Sequence, residues 1–275
     1  MKRTLILAAN AIPRRGGQGL NLYHMIRGLG QSLDLSVFCR GTCEDTQTQL
    51  VPESRLSRLV SQVPILRRRR DWQTILSDTQ FDHSVSARLF PADLFQGVVG
   101  QCAESLAAAK SYGGRTVLDV LNTHIDDLAS HVERECAKFQ VRSFIHPRMK
   151  ARIQQEYERA DLIRVMSSHA QRTFLERGFP ADRLVVAPPP IDFDQFSPAT
   201  FSEPLFRVIF VGLLEPWKGF HDLIEAFDSL RLPDSELVLW GGPGARPISR
   251  YLQQRMAHNP AIIIRPLEVA HVGYA

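Results

Sequence analysis

The chain reads as an α/β protein of two lobes with parallel sheets, the second lobe incomplete, and three observations predict it. Short runs rich in Val, Ile, Leu and Phe alternate with longer segments whose apolar residues recur at helical spacing, the pattern of a parallel sheet covered by helices on both faces. Pro188-Pro189-Pro190 fixes three consecutive φ angles and withholds three backbone donors, so no strand or helix runs through it and the chain divides there. Beyond that run only three strands and two helices are legible, roughly half of a doubly wound domain. The expected boundaries are a first lobe over 1–190, a hinge over 191–204 and a partial second lobe over 205–275.

Each element has a local cause. Thr4 to Ala9 is an apolar strand, Asn10 to Gly19 a loop rich in Gly and Arg, and Leu22, Met25, Ile26 and Leu29 mark one face of a helix. Strand, glycine loop and helix in that order open a Rossmann-type unit. Further strands are expected at Leu35 to Phe38, Leu94 to Gln96, Thr116 to Val120 and Leu162 to Val165, with helices near Leu56 to Val63, Glu104 to Lys110, His124 to Lys138 and Arg148 to Arg159. Ser167 or Ser168 caps a helix carrying Phe174 and Leu175 that stops at Gly178, with Pro180 beyond. Leu184 to Ala187 is the last strand of the first lobe. In the second, Phe206 to Val211, Leu237 to Trp240 and Ala261 to Ile264 read as strands, while Phe220 to Leu230 and the segment with Ile248, Leu252 and Met256 read as helices. A parallel sheet that ends after three strands leaves apolar surface uncovered, so this lobe is expected to be the least stable part.

With 44% hydrophobic residues in 275, the chain can bury a sizeable core. A net charge of +4 suits anionic substrates or anionic lipid and is too small to point to nucleic acid. No apolar run approaches the ~18 residues needed to cross a bilayer. The N-terminal apolar run is too short for a signal peptide and Asn10 interrupts it, so a cytoplasmic protein is expected. Cys39, Cys43, Cys102 and Cys136 are scattered, with no second Cys/His pair at zinc spacing. Reduced thiols and no metal site are therefore expected.

The most informative segment is Phe206 to Phe227: a strand ending at Gly212, a turn holding Lys218 and Gly219, then Phe220, Leu223, Ile224 and Phe227 on one helical face. The first N–H groups of such a helix lack internal partners and carry the positive end of its dipole, and Lys218 adds a full charge, so the turn is a candidate anion site. In the first lobe Gly16 and Gly17, within Arg14-Arg15-Gly16-Gly17-Gln18-Gly19, let a backbone approach a ligand without side chains in the way. NAD is a competing use of such a loop, but G-G-x-G is not G-x-G-x-x-G. His124 follows the strand at Val120, where open α/β sheets present groups to a ligand. Asp126 and Asp127 beside it suit a helix N-terminus. Arg67, Arg68, Arg69 and Arg70 follow an apolar helical face at Leu56 to Val63 and are a candidate contact with an anionic membrane surface.

At Gly212-Leu213-Leu214-Glu215-Pro216-Trp217-Lys218-Gly219 the chain resembles glycosyltransferase family 4, the retaining GT-B enzymes, whose signature is G-R-L-x-x-x-K-G after a strand. Ala160 to Ala187, Pro188-x-x-Ile191-Asp192 and Phe196-Ser197-Pro198 are similar to that family as well. The resemblance implies a GT-B-like fold of two Rossmann-type lobes and transfer of a sugar, with retention, from a nucleotide-sugar to an acceptor in glycan or glycolipid biosynthesis. It implies donor diphosphate binding by Gly16, Gly17, Gly212, Lys218 and Gly219, catalytic roles for Lys218 and His124, an acceptor on the first lobe with lipid-linked acceptors among the candidates, and no cofactor besides the nucleotide-sugar substrate. Leu213 stands where the family has arginine, and no E-x7-E follows. The alternative expectation is therefore an inactive fragment that acts as a binding module.

Overall fold

The structure is a computed structural model that describes residues 2–43, 46–53, 70–198, 205–242 and 245–266. The chain divides into two compact units, Met1–Leu128 with Phe144–Phe196, and Ala129–Ser143 with Ser197–Ala275.

The first unit runs β1 (Thr4–Ala8), α1 (Gly16–Leu29), β2 (Asp34–Cys39), β3 (Gln47–Leu50), α2 (Arg70–Ser86), β4 (Leu94–Val98), α3 (Ala103–Ser111), β5 (Arg115–Val120), α4 (Ile125–Lys138), α5 (Pro147–Arg159), β6 (Leu162–Val165), α6 (Ser168–Leu175) and β7 (Leu184–Val186). The strands form one sheet in the order β3-β2-β1-β4-β5-β6-β7, every neighbouring pair parallel. Strand residues alternate between two cores. Ile6, Phe38, Phe95, Leu118 and Ile163 pack with Phe81, Leu106, Tyr157 and Phe174 on one side, while Leu5, Leu7 and Val37 pack with Leu22 and Ile26 on the other. That alternation is why these strands read as nearly continuous apolar runs. The winding reverses between β1 and β4, and the crevice outside the carboxyl ends at such a switch is where open α/β sheets bind ligands.

Two elements were not expected from sequence. β3 is a polar edge strand, QTQL, without the apolar signal of a buried one. α2 buries Phe81 and Val85 but also Asp71, Asp78 and Asp82, so carboxylates on its inward face mask the helical period. Those carboxylates are used. Asp82 accepts hydrogen bonds from the backbone N–H groups of Glu104 (2.7 Å) and Ser105 (2.9 Å) at the start of α3 and is paired with Arg152. At α6 the Ser167 hydroxyl accepts from the Ala170 N–H, the expected cap. The expected helix at Leu56 to Val63 and the residues Arg67, Arg68 and Arg69 lie outside the described residues, and Arg70 opens α2. The four cysteines are free. Among the described residues no helix is long and apolar enough to cross a membrane.

The second unit contains β8 (Phe206–Val211), α7 (Phe220–Leu230), β9 (Ser235–Trp240), α8 (Arg246–His258) and β10 (Ile262–Arg265), with the parallel order β10-β9-β8. Phe220, Ile224 and Phe227 of α7 and Ile248 and Leu252 of α8 pack on Leu237, Leu239 and Ile262, joined by Phe139 and Val141. All of this cover lies on one face of the sheet. On the other, Val238 of the central strand is buried, while Ile209 (50%) and Val211 (68%) of β8 are exposed, in a sheet type normally covered on both sides. Segment 129–143, which lies among the first-lobe elements in sequence, belongs to this unit. The architecture is α/β, a seven-stranded parallel sheet and a second, smaller parallel sheet.

Candidate functional site

In the second unit the loop after β8 places its residues by turn geometry. Gly212 donates its N–H to Trp240 O at 2.9 Å. Leu214 is buried in the core, whereas Leu213 is 61% exposed, so the position that carries arginine in the family signature faces outward. A short 3-10 turn, Pro216–Lys218, ends at Gly219, whose φ of 74° and ψ of 15° are left-handed and favour glycine. Gly219 is also the N-cap of α7 and offers no side-chain cap. The first N–H groups of α7 are therefore directed out of the helix mouth, and the Lys218 side chain is exposed beside them, with no carboxylate partner among the described residues. Gly241, at the end of β9, was not singled out from sequence. A Cβ there would lie 2.3 Å from Gly212 O, so close packing of the two loops requires glycine.

Segment 129–143 supports this loop from within the same unit. His131 Nε2 lies 3.1 Å from Trp217 O. Glu135 is buried and lies 2.6 Å from Lys138 Nζ and 3.2 Å from His221 Nε2. The hydrogen bond from Lys138 holds the Glu135 carboxyl below its ordinary range, and the same bond raises Lys138. Glu135, His221 and Asp222 are a metal-type cluster, with ligand atoms within 4.8 Å of one another. The Lys138 ammonium lies among them, 3.2 Å from His221 and 3.8 Å from Asp222. The cluster is thus already neutralised as an ion network.

In the first unit the loops after β1 and β4 meet at the switch point. Gln101 Oε1 accepts from Asn10 N (2.8 Å) and from Gln18 Nε2 (3.0 Å). Gly16 and Gly17 open α1 on the exposed side of this junction. Gly16 has φ 63°, and no side chain caps the helix. Gly19 is the sterically demanding glycine, since a Cβ there would lie 2.0 Å from Ile12 O. Beside the junction is a cavity of about 360 Å³ at the ends of β4 and β5, walled by α2 and α5. Asp78 reaches it from α2, buried, its carboxylate accepting from Asn10 Nδ2 at 2.7 Å. Burial pushes the Asp78 carboxyl up to about 6, against the pull of Asn10, Arg152 and Arg40.

Asn122, Thr123 and Ile125 line this cavity, but the His124 ring packs elsewhere. It is 4% exposed, between Tyr157, Phe174 and Phe179 at centroid distances of 5.0, 5.0 and 5.7 Å. Its Nδ1 accepts from the Asp126 N–H at 3.2 Å, and the backbone N–H of His124 donates to Thr173 Oγ1 at 2.9 Å. Burial lowers its pKa, which keeps that nitrogen available as an acceptor. Asp126 and Asp127 sit at the start of α4, as expected from the dipole, and pair with Lys150 (2.7 Å) and Arg177 (2.7 Å).

No protein-family model matches the chain, and no curated protein matches it in sequence. Solved structures do match. Anabaena Alr3699/HepE, solved with UDP-glucose, is 14% identical with a TM-score of 0.61, over 96% of this chain and 69% of that one. The lipopolysaccharide outer core galactosyltransferase WaaB, in its apo form, is 15% identical with a TM-score of 0.55, over 97% and 69%. The α,α-trehalose 6-phosphate synthase of Burkholderia multivorans is 12% identical with a TM-score of 0.59, over 97% and 72%. These are GT-B glycosyltransferases, and the chain has a GT-B-like fold.

Proposed function

We propose that the chain is a glycosyltransferase that takes its sugar from a nucleotide-sugar, with the donor diphosphate held at the mouth of α7. The observation that carries this reading is the exposed Lys218 ammonium, without a carboxylate partner among the described residues, beside an uncapped helix N-terminus after a left-handed Gly219. Gly212 keeps the backbone close at the same loop, and Gly16 and Gly17, at the uncapped start of α1, are the donor-binding residues proposed for the first unit. In the reaction the bond from the anomeric carbon to the β-phosphate oxygen breaks. A bond from the acceptor oxygen to that carbon forms with retention, and the acceptor proton leaves with the diphosphate. Negative charge grows on the leaving group, and fixed positive charge placed there in advance stabilises it most as the bond breaks. His124 is a positioning residue in this scheme: it holds the start of α4 and the Asn122-Thr123 wall through its hydrogen bond to Asp126.

The reading extends to family 4, to glycan or glycolipid synthesis at the cytoplasmic side of a membrane, and to a peripheral lipid contact through Arg67, Arg68, Arg69 and Arg70. Flotation with liposomes of neutral and of anionic lipid tests that contact, and equal recovery with both removes it. UDP-glucose is the first donor to test, since it is the ligand named for the Anabaena neighbour. Titration calorimetry with UDP-glucose, a GDP-sugar and NAD tests the donor class: binding of NAD alone overturns the assignment. A second reading, a module that binds the donor without turnover, is favoured by Leu213, which removes the second cation of the family signature. Donor binding without hydrolysis or transfer would select it.

A further inference from the structure

The turn that carries Lys218 draws little rigidity from its own sequence. Gly219 is left-handed and α7 has no side-chain cap. The turn closes on itself through Lys218 N–H to Glu215 O at 2.9 Å and Gly219 N–H to Pro216 O at 3.1 Å. An ammonium on a loosely held turn must be ordered when an anion arrives, and that ordering weakens binding. Segment 129–143 supplies anchors on either side. His131 and Glu135 stand at i and i+4 on α4 and so share a face. His131 Nε2 lies 3.1 Å from Trp217 O, the carbonyl of the peptide bond to Lys218. Glu135 Oε2 and Lys138 Nζ each lie 3.2 Å from His221 Nε2, and Glu135 and His221 are both buried. The chain is thus held at 217 and at 221, with Lys218, Gly219 and Phe220 between. The tautomer of His131 follows from Arg134, whose Nη2 lies 3.0 Å from its Nδ1 and whose Nε is paired with Glu135 Oε1 at 3.2 Å. A guanidinium only donates, so Nδ1 accepts and the ring hydrogen sits on Nε2, where it donates to Trp217 O.

We propose that His131 is a positioning residue for the donor diphosphate: oriented by Arg134, it holds the Trp217–Lys218 peptide and so sets the Lys218 ammonium in place before the ligand arrives. The identity of the ligand rests on the proposed glycosyltransferase function, and the rest on contacts within the second unit. Charge ordered in advance stabilises a departing diphosphate more than charge that must first be ordered. His131 acts through Lys218 and not by contact with the ligand.

The two imidazole nitrogens can be replaced one at a time. His131→Gln keeps an N–H near the Nε2 position, His131→Asn reaches only the Nδ1 position, and His131→Leu keeps neither. UDP-glucose is titrated by calorimetry into the whole chain. Affinity should fall about fivefold in the Leu and Asn variants, the worth of one hydrogen bond, and stay within about twofold of wild type in the Gln variant. In a Lys218→Ala background His131→Leu should change affinity by less than about twofold, because the cation it positions is gone. No loss in the Leu variant, equal losses in all three, or the full loss repeated in the Lys218→Ala background overturns the proposal, the last two being the pattern of a residue that only supports the fold. Amide exchange of the ligand-free chain is the second measurement. Lys218 and Gly219 should exchange about fivefold faster in the Leu and Asn variants and at the wild-type rate in the Gln variant, with Phe227 in the body of α7 unchanged. If the wild type does not bind UDP-glucose, the glycosyltransferase reading falls, and this exchange alone decides whether His131 fixes the turn. Unchanged exchange at Lys218 in the Leu variant overturns the positioning role whether or not UDP-glucose binds.

Discussion

Gly241 and Glu156 show what single residues do here. At Gly241 a methyl group would be forced to 2.3 Å from Gly212 O, so Gly241→Ala must push the end of β9 away from the loop after β8. We expect a loss of about 2 kcal/mol in stability and weaker donor binding, and an unchanged melting temperature would show that the loops do not pack this closely. Glu156 is buried and accepts from the N–H groups of Gly100 and Cys102, yet burial outweighs these bonds and pushes its carboxyl up from 4.5 to about 8. Because the folded state then holds the proton more tightly than the unfolded chain, this contribution is full below pH 4.5 and is lost as the pH rises through 8. Melting temperature should decline across that window. Glu156→Gln should flatten the decline while lowering stability throughout, since its amide must face a backbone N–H; a slope unchanged by the substitution would contradict the assignment. The turn through Gly212, Lys218 and Gly219 into α7 was legible in the sequence because a turn's backbone requirements are local. Gly19 and Gly241 were not, because each is required by a backbone atom of another loop.

Most elements were legible for the same kind of reason, and the exceptions have a physical cause. β8, α7 and β6 were read with the ends they have, since a strand buried or half-buried on its inner face and an amphipathic helix carry their period in a few residues. α2 was missed because three carboxylates share its inward face with Phe81 and Val85, and their compensation comes from distant elements: Arg152 on α5 for Asp82, and Asn10 for Asp78. A buried charge that loses its partner is expensive, so Arg152→Ala should cost about 3 kcal/mol in urea denaturation. A cost within about 0.5 kcal/mol, typical of a surface site, would show that the pair is not what holds α2 to α5. Segment 129–143 was invisible in another way. Its residues read as the continuation of a first-lobe helix, and the partners that draw it into the second unit, Trp217, His221 and Tyr251, lie some 80 or more positions further on.

For the molecule as a whole, the two units differ in how fully their sheets are covered. The seven-stranded sheet has apolar cores on both faces, whereas among the described residues the three-stranded sheet has an apolar cluster on one face and on the other buries Val238 but leaves Ile209 and Val211 exposed. Amide exchange should therefore be faster over 206–265 than over β1, β4 and β5, and equal protection in a monomer would contradict this. The central claim is that Lys218, at the mouth of α7, is there to hold a sugar nucleotide's diphosphate. Titration calorimetry of the wild-type chain and of Lys218→Ala with UDP-glucose tests it most directly. The account predicts binding by the wild type and a loss of about tenfold or more in the variant, the worth of one charge-assisted contact with phosphate. Wild-type affinity in the variant would contradict it.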